Sequence, residues 1–96
     1  MKLLHLTFRH EFSEAIERIL DRHGISDFIR KPMIHGRDRD GKHYGSKVYP
    51  GNTTLVQALV EDERVGDLLE DLKSFRNEKP SHAHLRAAVI PVEELL

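Results

Sequence analysis

The chain contains no cysteine and no tryptophan, and its aromatic residues are four phenylalanines and two tyrosines. Without cysteine there is no disulfide framework, no thiol nucleophile and no zinc ribbon. The absence fits a cytosolic protein. No apolar run approaches the ~18 residues that a membrane-spanning helix needs. The opening Met1-Lys2-Leu3-Leu4-His5-Leu6 is too short for a signal peptide and reads as a strand. A net charge of −1 leaves no global field to draw in nucleic acid or anionic lipid. What is present is charge of both signs, 32% of residues, and seven histidines, in a chain of 96 residues. That length describes one domain, 1–96, with a core of limited size. The histidines raise the question of metal or anion binding.

The stretch from Ile34 to Thr54 stands apart. It is polar and holds four of the six glycines, Gly36, Gly41, Gly45 and Gly51. Connections in small domains run ~4–6 residues, and loops beyond ~12–15 are usually functional or disordered. Arg37, Arg39, Lys42 and Lys47 outnumber Asp38 and Asp40, and Tyr44 and Tyr49 sit among them. The stretch reads either as a contact loop or as a solvated hairpin tip. Its glycines form neither a GxGxxG pattern nor a P-loop, and no helix follows them. Asp38-x-Asp40-Gly41 matches the start of a calcium loop, but the acidic ligand at position 12, counting Asp38 as the first, is replaced by Tyr49, which rejects that site.

Around this loop the periodicities alternate. A first strand over Lys2–Phe8 has Leu4, Leu6 and Phe8 on one parity. A helix over Glu11–His23 carries Ala15, Ile16, Ile19 and Leu20 on one face and stops at Gly24. A second strand over Ile25–Ile34 contains Pro32, which confines it to an edge or a bulge. A third strand covers Thr53–Val60. Asp62 is expected to cap a second helix whose Val65, Leu68, Leu69, Leu72 and Phe75 recur at helical spacing. A turn through Pro80 leads to a fourth strand over His84–Ile90, and Val92–Leu96 forms a short tail.

This βαββαβ order predicts an α+β fold, a ferredoxin-like sandwich with a four-stranded antiparallel sheet in the order 4-1-3-2 and two helices on one face. Strands one, three and four carry apolar residues on both parities, Leu3, Leu55, Leu59, Ala88 and Ile90 being the extra set. Two helices cover only one sheet face. The open face therefore predicts a homo-oligomer of closed symmetry.

With these elements placed, the chain resembles the PII-like signalling superfamily, that of the nitrogen regulatory protein PII and the CutA-like proteins, as a divergent member. The likeness is carried by Met1-Lys2-Leu3-Leu4 in the first strand, by the helix ending His23-Gly24-Ile25, and by Gly36 opening a long loop where PII proteins carry the T-loop. The resemblance implies a homotrimer with small effectors in the clefts between subunits, and a partner read through the loop, 36–52. By resemblance the partner is a membrane transporter or a metabolic enzyme. PII proteins have a Gly-rich, Lys-bearing phosphate loop before the fourth strand, whereas residues 77–84 here contain no glycine. CutA-like proteins are rich in tryptophan, which this chain lacks.

Two ligand chemistries remain open. His82-x-His84 at the start of the fourth strand would put both imidazoles on one side, and with His35 at the loop base they make a set suited to a divalent metal ion. Gly36, Arg37, Lys79 and Arg86 would instead bind an anion, an adenine nucleotide among the candidates. Both chemistries stand beside the simpler reading of exposed residues without a role. The loop residues Arg39, Lys42, Tyr44, Lys47 and Tyr49 are candidate partner contacts. Ser46 and Ser81 lack a presenting elbow, and the paired carboxylates lie on solvated helix faces, so no catalytic residue is assigned and an enzyme is not expected. The expected function is effector binding and signalling through the loop, with metal sensing or tolerance as the alternative.

Overall fold

The computed structural model describes residues 1–34, 36–38, 41–43 and 52–96. Four long strands, β1 (Lys2–Arg9), β2 (Phe28–Ile34), β5 (Thr53–Val60) and β6 (Arg86–Pro91), form one antiparallel sheet in the order β2-β5-β1-β6. Counting only these four, that is the expected 4-1-3-2 order. The helices α1 (Ser13–Arg22) and α2 (Asp62–Glu78) supply the crossovers. Two short strands, β3 (Gly36–Asp38) and β4 (Gly41–His43), pair as a separate antiparallel ribbon. This ribbon lies within the long insertion expected at 36–52.

Period-two patterning decides which sheet face is inside. Leu4, Leu6 and Phe8 of β1 and Val56, Ala58 and Val60 of β5 are buried with Ile16, Ile19 and Leu20 of α1 and Leu68 and Leu72 of α2. Val65, Leu69, Phe75 and Val89 pack against this cluster as partly buried neighbours. The helical spacing read in the sequence is thus the spacing of the buried stripe. A fully buried leucine is worth roughly 1.5–3 kcal/mol relative to exposure, so the shared core outweighs any local propensity.

Helix α1 is shorter than expected because His10–Phe12 form a 3-10 turn ahead of it. The turn is held by the Ser13 hydroxyl, which donates to the His10 carbonyl at 2.6 Å. The end of α1 is a Schellman motif. Ile25 N–H donates to Leu20 O at 2.9 Å and Gly24 N–H to Asp21 O at 3.0 Å. Gly24 takes φ +72°, and a Cβ built there would clash with Arg64 Nη1. That guanidinium donates to His23 O at 2.6 Å. Gly24→Ala is therefore expected to destabilise the fold by about 1–2 kcal/mol through the left-handed backbone alone, read as a lowered urea midpoint at unchanged slope. Displacing the flexible Arg64 adds to that cost.

Helix α2 starts differently from expectation. Glu61 occupies the N-cap position without a side-chain cap bond, and Asp62 is the first helical residue. The Asp62 carboxylate instead pairs with the Met1 amino group at 2.7 Å, which holds its carboxyl below the usual range. Pro32 behaves as its missing N–H demands. Its strand, β2, is a sheet edge, and the register against β5 shifts between Lys31 and Ile34.

The two helices are joined by a polar contact. Asp71 of α2 accepts from His23 Nε2–H at 2.9 Å and from Arg22 Nη2–H at 3.0 Å. The His23 hydrogen bond is the main cause that lowers the Asp71 pKa, followed among the lowering causes by the charge of Arg22. A carboxyl depressed in the folded state stabilises above its unfolded pKa, and that contribution is lost as pH falls through the folded value. Asp71→Asn is accordingly expected to flatten the acid limb of the stability–pH curve below about pH 4. Urea titrations of the two proteins across pH 3–7 measure it.

Candidate functional site: the loop-proximal end of the sheet

Three chain segments meet where the long loop leaves the sheet: the end of β1, the start of β5 and the turn before β6. At the end of β1, His10 anchors the downstream base of the loop twice. Its N–H donates to Asn52 O at 3.0 Å, and its Nδ1 is hydrogen-bonded to Thr54 Oγ1 at 2.9 Å. Thr54 is fully buried, so this bond satisfies a hydroxyl that would otherwise be costly to enclose. Arg9, one residue earlier, donates through Nη2 to His84 Nε2. The contact bridges the end of β1 and the segment leading into β6, residues far apart in sequence.

The segment before β6 corrects the strand reading of His82-x-His84. Pro80–His82 form a 3-10 turn, and the strand begins only at Arg86. Proline at the start of the turn cannot donate to a ladder, and the turn closes by His82 N–H to Lys79 O at 3.0 Å and Ala83 N–H to Pro80 O at 3.1 Å. The two imidazoles consequently do not share a strand face. His82 is buried, its ring stacked on Phe75 at 3.9 Å and 5° and edge-on to Phe12 at 4.6 Å. Its Nδ1–H donates to the Phe75 carbonyl at 2.7 Å. His84 lies outside that aromatic clamp, against Arg9.

The other site residues are distributed as follows. His35, Arg39, Tyr44, Lys47 and Tyr49 lie outside the described residues, so the three-histidine set is described only at His82 and His84. Among the described residues no three histidine or carboxylate side chains gather as a metal site. Gly36 and Arg37 are on β3, with Arg37 exposed, and Lys42 is on β4. Lys79 is exposed in the link between α2 and the turn. Arg86 is exposed at the first position of β6, opposite Thr7. Arg9 and His10 were not legible as site residues, because a strand end has no motif. The one signal available was parity, which puts Arg9 in the row of Leu3, His5 and Thr7.

That row belongs to the sheet face turned away from the helices. Leu3 of β1 stands between Leu59 of β5 and Ile90 of β6, and His5 between Gln57 and Ala88. Gln57 is also opposite Ile29 of β2. The Gln57 amide nitrogen lies 3.4 Å from His5 Nδ1, a polar pair in the middle of an apolar surface. Ile29, Leu59 and Ile90, on this face, are 62%, 41% and 44% exposed. A groove of ≈ 700 Å³ at this end of the face is lined by Met1, Leu3, Phe28, Ile29 and Leu59. Towards the loop the same face becomes cationic, with Lys31, Arg9 and Arg86.

No protein-family model matches this chain, and no curated protein matches it. Solved structures do. The chain is similar to CPII, a nitrogen regulatory PII-like protein from Thiomonas intermedia K12, in a structure bound to ADP, AMP and bicarbonate. The TM-score is 0.74 at 23% identity, over 93% of this chain and 88% of that one. The apo form of CPII matches with a TM-score of 0.70 at 22% identity, over 92% and 84%. A DUF3240-family protein from Shewanella baltica OS155 matches with a TM-score of 0.73 at 18% identity, over 98% and 91%. The fold of this chain is the PII-like fold. Among the described residues, no helix is long and apolar enough to cross a membrane.

Proposed function

We propose that this protein is a PII-like regulator: a homotrimer that binds a small effector, an adenine nucleotide foremost, in clefts between subunits and signals through the loop spanning residues 36–52. The observation that carries the reading is the near full-length likeness to CPII, whose solved structures hold ADP, AMP and bicarbonate. The open apolar face supports the assembly, since a trimer supplies the cover that the two helices cannot. The bonds from His10 to Asn52 and Thr54 support the coupling, because they join the loop base to the sheet. An effector contacting Gly36, Arg37, Lys79 and Arg86 would favour one loop conformation over others. The population recognised by a partner, a transporter or a metabolic enzyme, then shifts. The role is binding, not catalysis. Native mass spectrometry with ADP, AMP and zinc tests this. Three subunits taking up nucleotide are the expected result. A monomer, or a trimer indifferent to every adenine nucleotide, would overturn it.

A further inference from the structure

We propose that the tail of one copy of this chain docks, through Glu93, Glu94 and Leu95, into the groove between α2 and β6 of another copy. That groove, of ≈ 160 Å³, is lined by Leu69, Leu72, Lys73 and Arg76 of α2 and by Leu85 and Ala87. Leu72 and Leu85 are buried. Ala87 is exposed, although it stands opposite Leu6 on the helix-facing parity of β6. The helices thus leave the outer edge of their own sheet face partly uncovered. The volume is below the ~300–1,000 Å³ of small-molecule sites, which leaves side chains as the fitting occupants.

The rim of the groove is cationic. Arg18, Arg22 and Arg30 have carboxylate partners in Glu14, Asp71 and Glu17. Lys73 and Arg76 are exposed and have none among the described residues. The tail carries the complementary pattern. Glu93 and Glu94 are exposed and equally without a partner among those residues, and the adjoining Leu95 is 59% exposed. An aliphatic side chain flanked by carboxylates meets the apolar floor and the cationic rim at once. The tail does not reach this groove within its own chain. Val92 N–H donates to Met1 O at 3.3 Å, which holds the tail at the far end of β6. From there Leu95 is three residues on, a span of ~10 Å at most. Ala87 is five residues back along β6, ~16 Å away. The occupant is therefore a second copy.

The inference rests on the proposed assembly only in needing a second copy, and it adds a contact outside the open sheet face. The protein has no cysteine, so Ala87→Cys/Leu95→Cys introduces two thiols without competitors, both at exposed positions. The control is Ser74→Cys/Leu95→Cys, Ser74 being exposed in the cleft that α2 shares with Ala15 and Arg18. Both proteins are oxidised with diamide at micromolar concentration and run on non-reducing denaturing gels. Chains linked to one another are expected to form about tenfold faster or more in the first protein, because docking raises the local thiol concentration. Adding Lys73→Glu/Arg76→Glu should slow the linkage about tenfold, and adding Glu93→Lys/Glu94→Lys as well should restore it. Equal rates in the two proteins, indifference to the charge reversals, or chains closed on themselves would overturn the contact. Native mass spectrometry of the wild-type protein separates the two readings. A trimer whose Ala87→Cys/Leu95→Cys form does not link keeps the assembly and sinks the tail contact. Linked chains in a protein of any other stoichiometry keep the contact and sink the trimer.

Discussion

Leu59→Glu is expected to convert the proposed trimer into monomers. Leu59 stands opposite Leu3 on β1, which stands opposite Ile90 on β6, so one cross-strand row places three aliphatic side chains on the face that no helix covers. A carboxylate in that row would have to be desolvated on assembly without a cationic partner, since the arginines and Lys31 lie at the other end of the face. Truncating a central interface anchor commonly costs 2 kcal/mol or more per site. In a cyclic assembly the cost recurs in each subunit, so a shift of several orders of magnitude in the association constant is expected. The monomer should stay folded, because position 59 faces away from the core containing Ala58 and Val60. Size-exclusion chromatography with light scattering reads the mass, and circular dichroism the fold. A variant that remains trimeric would remove this face from the interface.

His82→Ala is expected to lower folding stability by about 2–4 kcal/mol, in metal-free buffer and without any ligand. The ring is enclosed between Phe75 and Phe12, and its Nδ1–H serves the Phe75 carbonyl. Truncation opens a cavity in the aromatic cluster and leaves that carbonyl without its donor. His82→Phe restores the volume but not the hydrogen bond, and should recover more than half of the loss. Urea denaturation of the three proteins measures both terms. A metal-ligand role predicts a different pattern: near wild-type stability for both variants in chelator, with the deficit appearing only on adding zinc. The two patterns cannot coincide.

These expectations depend unequally on sequence and on tertiary structure. The stripe Leu68, Leu72 with Val65, Leu69 and Phe75 was legible because a helix repeats every 3.6 residues, and the buried parity of β1 and β5 because a strand repeats every two. Gly24 and Pro32 were legible because each acts through its own backbone: one accepts a positive φ, the other lacks an N–H. The second apolar parity could be read the same way, and with it the uncovered sheet face.

His82 was not legible. Its spacing from His84 suggests a shared strand face, but a 3-10 turn starting at Pro80 intervenes, and the ring's fate is set by Phe12, remote in sequence. Arg9 was missed for the same reason. Its contact is made only when the segment leading into β6 comes to lie beside the end of β1 and brings His84 to it. Local periodicity and backbone chemistry thus determined the elements, their order and the two faces of the sheet, because those depend on neighbours within a turn or a strand. Which histidine is enclosed, and which imidazole an arginine meets, only the tertiary structure decided, because burial and pairing depend on residues brought together by the fold.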